Sequence, residues 1–169
     1  MPRPVVLAHR GASGYAYENS LASFRLAREM GADGVELDIH ATTDGALVVH
    51  HDPELAGLGV ISAHTLAEVR RVALPNGEPV PVLEEVLAAL GAFTIWVEVK
   101  TLPPQFDGRL LAMLAAGPGR YGVHAFDHRI IARLGRQAPA LPRGVLSASR
   151  PVDPVAQVTA AGASVLWQQ

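Results

Sequence analysis

Strand-like and helix-like patterns alternate along this chain, and that alternation restricts it to few folds. "PVVLAH" (Pro4–His9) reads as a β-run. "NSLASFRLAREMGA" reads as a helix with an apolar stripe of Leu21, Phe24, Leu26 and Ala27, capped by Gly31. "DGVELDIH" is a second strand, and "TTDGA" turns it into "LVVHHD", a hairpin signal. The short helices "TLAEVRRV" and "VPVLEEVLAAL" lead to the strand "FTIWVEVK". Helix and strand then alternate through "FDGRLLAMLAA", "YGVHAFD", "HRIIARLGRQA", "RGVLSAS", "PVDPVAQVTAAGA" and "SVLWQQ". Such an order builds a parallel sheet with right-handed crossovers. It predicts six parallel strands and one hairpin arm, and the 169 residues suit one domain rather than two. The segment Pro53–Gly59 reads as a loop that leaves the arm and rims the site.

In a β/α barrel or an open α/β sheet, chemistry gathers at the carboxyl ends of strands. The first strand ends in His9-Arg10-Gly11, the second in Glu36-Leu37-Asp38 and the arm in His51-Asp52. "FTIWVEVK" ends in Glu98-Val99-Lys100. Later strands end in Phe126-Asp127, Ser147 to Ser149, and Gln168-Gln169. Because side chains alternate across a strand, Glu36, Asp38 and His40 share one face and Val35, Leu37 and Ile39 the other. Trp96, Glu98 and Lys100 share a face in the same way. Three inward carboxylates repel one another unless something compensates them. Three readings stand: a hard divalent cation such as Mg²⁺ or Ca²⁺, a buried ion network with Arg10 and Lys100, or carboxylates on solvated loops.

His9 and His51 are placed to serve as a proton-transferring pair, although either alone could simply cap a strand end. His40, His50, His64, His124 and His128 lack a comparable context and read as structural or exposed. Lys100 is the one lysine among 14 basic residues. With Arg10 it forms a cationic pair suited to a phosphate, the guanidinium binding bidentately and the ammonium as a point charge. Acids, cations and two histidines at one spot describe phosphoryl-transfer chemistry better than sugar or peptide hydrolysis.

Composition removes several alternatives. A net charge of −2 with scattered arginines offers no nucleic-acid surface. Without cysteine there is no thiolate metal site, disulfide or cysteine nucleophile. The amino terminus lacks a signal-peptide pattern, and no run of ~18 apolar residues predicts a membrane span, so the expected compartment is the cytoplasm.

The segments "AHRGASGYAYENSLASFRLAREMGADGVELDIHATTDGALVVHHDPEL", "VPVLEEVL", "IWVEVK" and "HAFD" together resemble the glycerophosphodiester phosphodiesterase family, in family order from residue 8 to residue 127. The resemblance implies a TIM-type barrel, a divalent metal (Mg²⁺ or Ca²⁺), and hydrolysis of glycerophosphodiesters to glycerol 3-phosphate and an alcohol. It places the catalytic pair at His9 and His51 with Arg10 beside them, the metal-binding acids at Glu36, Asp38 and Glu98, and the phosphate-side lysine at Lys100. Glu18 and Asn19 match the Glu-Asn pair that shapes the first loop. The implied mechanism has one histidine deprotonating a glycerol hydroxyl for attack on phosphorus, giving a cyclic intermediate. The other protonates the leaving alkoxide, and the roles reverse when water attacks.

The chain departs from the family pattern at Tyr17, Thr43 and Ala125, where proline, lysine and serine are usual, and in a shortened stretch between His51 and Thr65. That stretch lacks an Arg-Thr-Thr-rich part, which predicts a different glycerol-recognition rim. The pattern also continues past a strand like "SVLWQQ" to two more strands that these 169 residues do not contain. The expectation is one domain over residues 1–169 with six of eight barrel strands, two unpaired edges and an open apolar interior. A homo-oligomer covering the open edge is the expected partner. Two rival readings accompany the enzyme: an inactive barrel that binds an anion or a partner chain, and a phospholipase-like enzyme at a membrane. The low charge and the lack of a basic amphipathic helix oppose the second.

Overall fold

The computed structural model describes residues 3–168. Its parallel strands are β1 (Leu7–His9), β2 (Gly34–Ala41), β6 (Thr94–Thr101), β7 (Arg120–Ala125), β8 (Arg143–Ser147) and β9 (Val165–Gln168). They lie side by side in that order, and β3 (Leu47–Val49) pairs antiparallel with β2 as the hairpin arm. Helices α1 (Leu21–Glu29), α2 (Leu66–Val69), α3 (Leu83–Leu90), α4 (Asp107–Ala116), α5 (His128–Gln137) and α6 (Pro154–Ala160) connect them. The sheet curls into an incomplete barrel, with β1 and β9 each hydrogen-bonded to one neighbour. Gln169, the last residue of the expected final strand, lies outside the described residues.

Local signals explain the elements. Ser20 and Ser23 form a reciprocal capping box at α1, and Thr65 and Glu68 another at α2. The hairpin turns at Gly45, whose φ of 79° suits glycine and whose missing Cβ leaves room for the Phe106 ring. Asp44 in the same turn accepts from the Leu66 amide at 3.1 Å and so ties the turn to α2.

Some boundaries differ from expectation. β1 begins at Leu7 rather than Pro4, because the preceding residues are held by a side chain: the Val6 amide donates to Asp33 Oδ2 at 2.8 Å. α1 ends at Met30, and Gly31 takes the left-handed position after it. The Pro53–Gly59 loop contains half of a small hairpin, β4 (Glu54–Leu55) with β5 (Gly59–Val60).

The core lies between sheet and helices. Val35, Leu37, Ile39, Ile95, Val97, Val99, Val123 and Val145 face Phe24, Leu87, Leu90, Leu110, Ile131 and Leu134. A second cluster of Val48, Leu55, Ile61, Val69, Leu74 and Val80 anchors the arm. The opposite, inner face is mixed: it carries His9, Glu36, Asp38, Glu98, Lys100 and His124 together with Leu7, Trp96, Leu146, Val165 and Trp167. Gly122 and Gly144 make this possible: a Cβ on Gly122 would lie 2.8 Å from the Trp96 ring, and one on Gly144 2.9 Å from that of Trp167. Exposed large apolar side chains are Val5, Val6, Tyr15 and Met30 near β1, and elsewhere Val60, Phe126, Val152 and Val155.

Candidate active site

Strand register assembles the site. β1 pairs with β2 so that His9 lies opposite Glu36, and β2 with β6 so that Asp38 lies opposite Glu98. β6 pairs with β7 so that Glu98 lies opposite His124. Glu36, Asp38 and Glu98 are 3%, 0% and 2% exposed, which overturns the solvated-loop reading.

Asp38 belongs to an ion network. Its Oδ2 accepts from Asn19 Nδ2 at 2.8 Å and lies 3.4 Å from Arg10 Nε. Its Oδ1 lies 3.1 Å from Lys100 Nζ, which also reaches Glu98 Oε1 at 2.5 Å. Lys100 is therefore on the face that parity predicts, bridging two carboxylates, with the Phe126 ring 5.9 Å away. Neither Asp38 Oδ1 nor Glu98 Oε1 makes a hydrogen bond of good geometry.

The backbone is shaped to build this network. Arg10 and Asn19 have φ of 57° and 51°, a region that non-glycine residues occupy at a cost and that recurs at functional sites. Main-chain bonds fix both: Arg10 N donates to Glu36 O at 2.9 Å, and Asn19 N donates to Arg10 O at 3.0 Å. Gly11, at φ 81°, has no room for a Cβ against Ser23. Arg10 Nη1 donates to both oxygens of Glu18 at 3.0 Å. Glu18 and Asn19 thus position Arg10 and Asp38 respectively.

Glu36 and Glu98 meet a residue to which the sequence assigned no role. His124, 1% exposed, places Nε2 3.4 Å from Glu36 Oε1. One ligand atom from each of Glu36, Glu98 and His124 lies within 4.8 Å of the others, a group able to hold a metal ion. The signal that could have found His124 was parity in "YGVHAFD", but placing it against Glu98 required knowing the register. Burial raises the pKa of Glu36 to about 7, with Asp38 adding to the effect. Burial also raises that of Glu98, opposed by Lys100, and pushes His124 down to about 4, so its imidazole is neutral near neutral pH.

The two expected histidines differ in setting. His9 is exposed, with Nε2 3.8 Å from Glu36 Oε2. His51 Nδ1 donates to Asp52 Oδ1 at 2.8 Å, a bond that lowers the Asp52 pKa and leaves Nε2 of His51 free to exchange a proton. His40 contributes from behind: its Nε2 donates to the His51 carbonyl at 3.1 Å, and its Nδ1 lies 3.3 Å from Thr101 Oγ1. Asp52 and His40 thus hold His51 by contacts that the sequence reading did not assign. The remaining strand ends serve structure. Asp127 caps α5 through the Arg129 amide at 3.0 Å, and Gln168 Nε2 donates to Ser149 O at 2.7 Å.

Fold and site together define an incomplete β/α barrel carrying a buried acid cluster, two cations and two polar-face histidines at the carboxyl ends of its strands. Residues 9–168 match the model of the glycerophosphoryl diester phosphodiesterase family. A glycerophosphodiester phosphodiesterase of Bacillus subtilis (strain 168) is 32% identical over 83% of this chain and 58% of its own length. One from Caldanaerobacter subterraneus subsp. tengcongensis is 32% identical over 90% of this chain and 70% of its own. The crystal structure of a glycerophosphodiester phosphodiesterase from Parabacteroides distasonis ATCC 8503 superposes with a TM-score of 0.84 at 26% identity, covering 97% of this chain and 72% of the other. The chain belongs to the glycerophosphoryl diester phosphodiesterase family and spans somewhat over half to about 70% of the length of these relatives.

Proposed function

We propose that residues 1–169 act as one domain that hydrolyses glycerophosphodiesters to glycerol 3-phosphate and an alcohol, with a divalent cation and with His9 and His51 as the acid/base pair. Supporting this is the register that gathers His9, Glu36, Asp38, Glu98 and Lys100 on one face, with the buried carboxylates short of compensating charge. The names of the relatives point the same way.

The residues fit a divalent cation. The buried carboxylates of Glu36 and Glu98 hold raised pKa values, and one Lys100 ammonium is shared between Glu98 Oε1 and Asp38 Oδ1, so a cation would compensate the remaining charge. Glu36, Asp38 and Glu98 would hold it. Bound there, it would supply Lewis-acid polarisation of a phosphate oxygen. The side chains do the rest. Arg10 and Lys100 orient the phosphate, one by its fork of donors and the other by its charge. His51, with Nδ1 committed to Asp52, presents Nε2 to take or return a proton. His9, exposed to solvent beside Glu36, serves the opposite side of the phosphorus. A second copy covering Val5, Val6, Tyr15 and Met30 is the partner we expect, and sedimentation velocity reads it as a dimer.

The test is release of glycerol 3-phosphate from glycerophosphocholine and glycerophosphoethanolamine with Mg²⁺, Ca²⁺, Mn²⁺ or EDTA, beside Glu98→Gln. Turnover that needs metal and is lost in the variant supports the reading. No turnover from folded, cation-loaded protein overturns it in favour of a barrel that binds an anion or a partner without chemistry.

A further inference from the structure

We propose that His124 is a direct nitrogen ligand of the divalent cation, making the centre a mixed carboxylate–imidazole site that selects a first-row transition ion over Mg²⁺ or Ca²⁺. The proposal rests on the reading that Glu36 and Glu98 hold a cation at all.

Three observations carry it. His124 is 1% exposed, yet neither Nδ1 nor Nε2 has a hydrogen-bond partner. A buried imidazole normally satisfies at least one nitrogen, and an orphan of this kind calls for an explanation. Packing accounts for the burial but not for the nitrogens. The ring sits T-shaped to Trp167 at 4.6 Å between centroids and tilted against Trp96 at 5.8 Å. Second, the free Nε2 points into the acid cluster, 3.4 Å from Glu36 Oε1. Third, the ligand atoms of Glu36, Glu98 and His124 lie within 4.8 Å of one another. Cis ligands around an ion with bonds of about 2.1 Å stand roughly 3 Å apart, so side-chain adjustments close the trio.

Asp38 strengthens the inference by its other commitments. Its Oδ2 is bound by Asn19 with Arg10 nearby, and its Oδ1 faces Lys100. Glu98 shares Lys100 with Asp38 but has no Asn19 or Arg10 partner, and the donor beside Glu36 and Glu98 is a nitrogen that adds to the oxygens of the acid cluster. Three oxygens alone would suit Mg²⁺, Ca²⁺ or Mn²⁺; imidazole shifts preference toward later first-row ions such as Co²⁺, Ni²⁺ or Zn²⁺. The glycines at 122 and 144 give His124 and its indole neighbours room to reach the inner face.

The test needs no substrate. Mn²⁺ is bound to the wild-type chain and electron spin-echo spectroscopy reads nitrogen coupling. Calorimetry compares Co²⁺ with Mg²⁺ in wild type and His124→Gln, with circular dichroism confirming that the variant folds. The expected results are a directly bound imidazole nitrogen in wild type and its absence in the variant. Co²⁺ affinity should fall about tenfold or more, and Mg²⁺ affinity by less than about threefold. Mn²⁺ bound without nitrogen coupling in wild type overturns the assignment even if the variant fails to fold, and leaves an all-oxygen cation site. No divalent binding by the folded wild-type chain overturns both the assignment and the cation reading beneath it.

Discussion

The two halves of the sheet share one backbone plan and put opposite chemistry on it. On β1, β2 and β6 the inward positions hold His9, Glu36, Asp38, His40, Trp96, Glu98 and Lys100. On β7, β8 and β9 they hold Gly122, His124, Gly144, Leu146 and Trp167. In the charged half Asn19, Arg10 and Lys100 surround Asp38 and Lys100 also meets Glu98, while Glu36 faces the Arg10 amide, His9 and His124. Burial, with Asp38 adding to it, raises the cost of ionising Glu36. The difference teaches that a reactive acid cluster needs both a set of counter-charges and a wall of low polarity. His124 is the residue of the second half that reaches into the first.

The sharpest test of this division lies at the histidines. His51→Gln and His9→Gln are each expected to lower kcat for glycerophosphocholine by about 10²–10⁴-fold, with little change in melting temperature, because neither ring is deeply buried. A loss under tenfold for both would remove them from proton transfer.

The next contrast sets Asn19→Ala against Gly144→Ala. Asn19 orients Asp38 from behind, so its loss should cost roughly 10–100-fold in activity or cation affinity and about 1–3 kcal/mol in stability. Gly144→Ala drives a methyl into Trp167 and should cost about 1–3 kcal/mol through overpacking, with the activity of the folded fraction largely kept. Matched activity losses in the two variants would erase the distinction between the halves.

The smallest effect is in pH. Folding raises Glu36 from its ordinary 4.5 to about 7, so the metal-free fold loses stability from this group as pH rises from 4.5 through 7. His124, pushed from 6.5 down to about 4, acts in the opposite sense below pH 6.5, because the unfolded chain then binds the extra proton. The melting-temperature difference between Glu36→Gln and wild type isolates the first effect. It should grow in the variant's favour toward neutral pH in EDTA and shrink when a cation is added.

Much of this was legible in the residues. The six parallel strands and the hairpin arm followed from alternating periods and turn residues, and the structure keeps them all in the expected order. Parity correctly put Glu36, Asp38, Glu98 and Lys100 on inward faces. It did not show that Asp38 would enter an ion network while Glu36 and Glu98 met His124, since the cation and network readings looked alike in one dimension. The mixed make-up of the interior was hidden for a related reason. Composition gives the amount of apolar surface, whereas strand register decides that Trp96 lies over Gly122 and Trp167 over Gly144.

The sequence by itself determined which side chains face together along each strand, because a period of two is a local property of extended backbone. It also determined where helices start, because Ser20 and Thr65 cap their own first turns. Only the tertiary structure decided which charges became partners. Glu36 and His124 lie 88 positions apart and on strands that are not neighbours, and the curl of the sheet across β6 closes that distance to 3.4 Å.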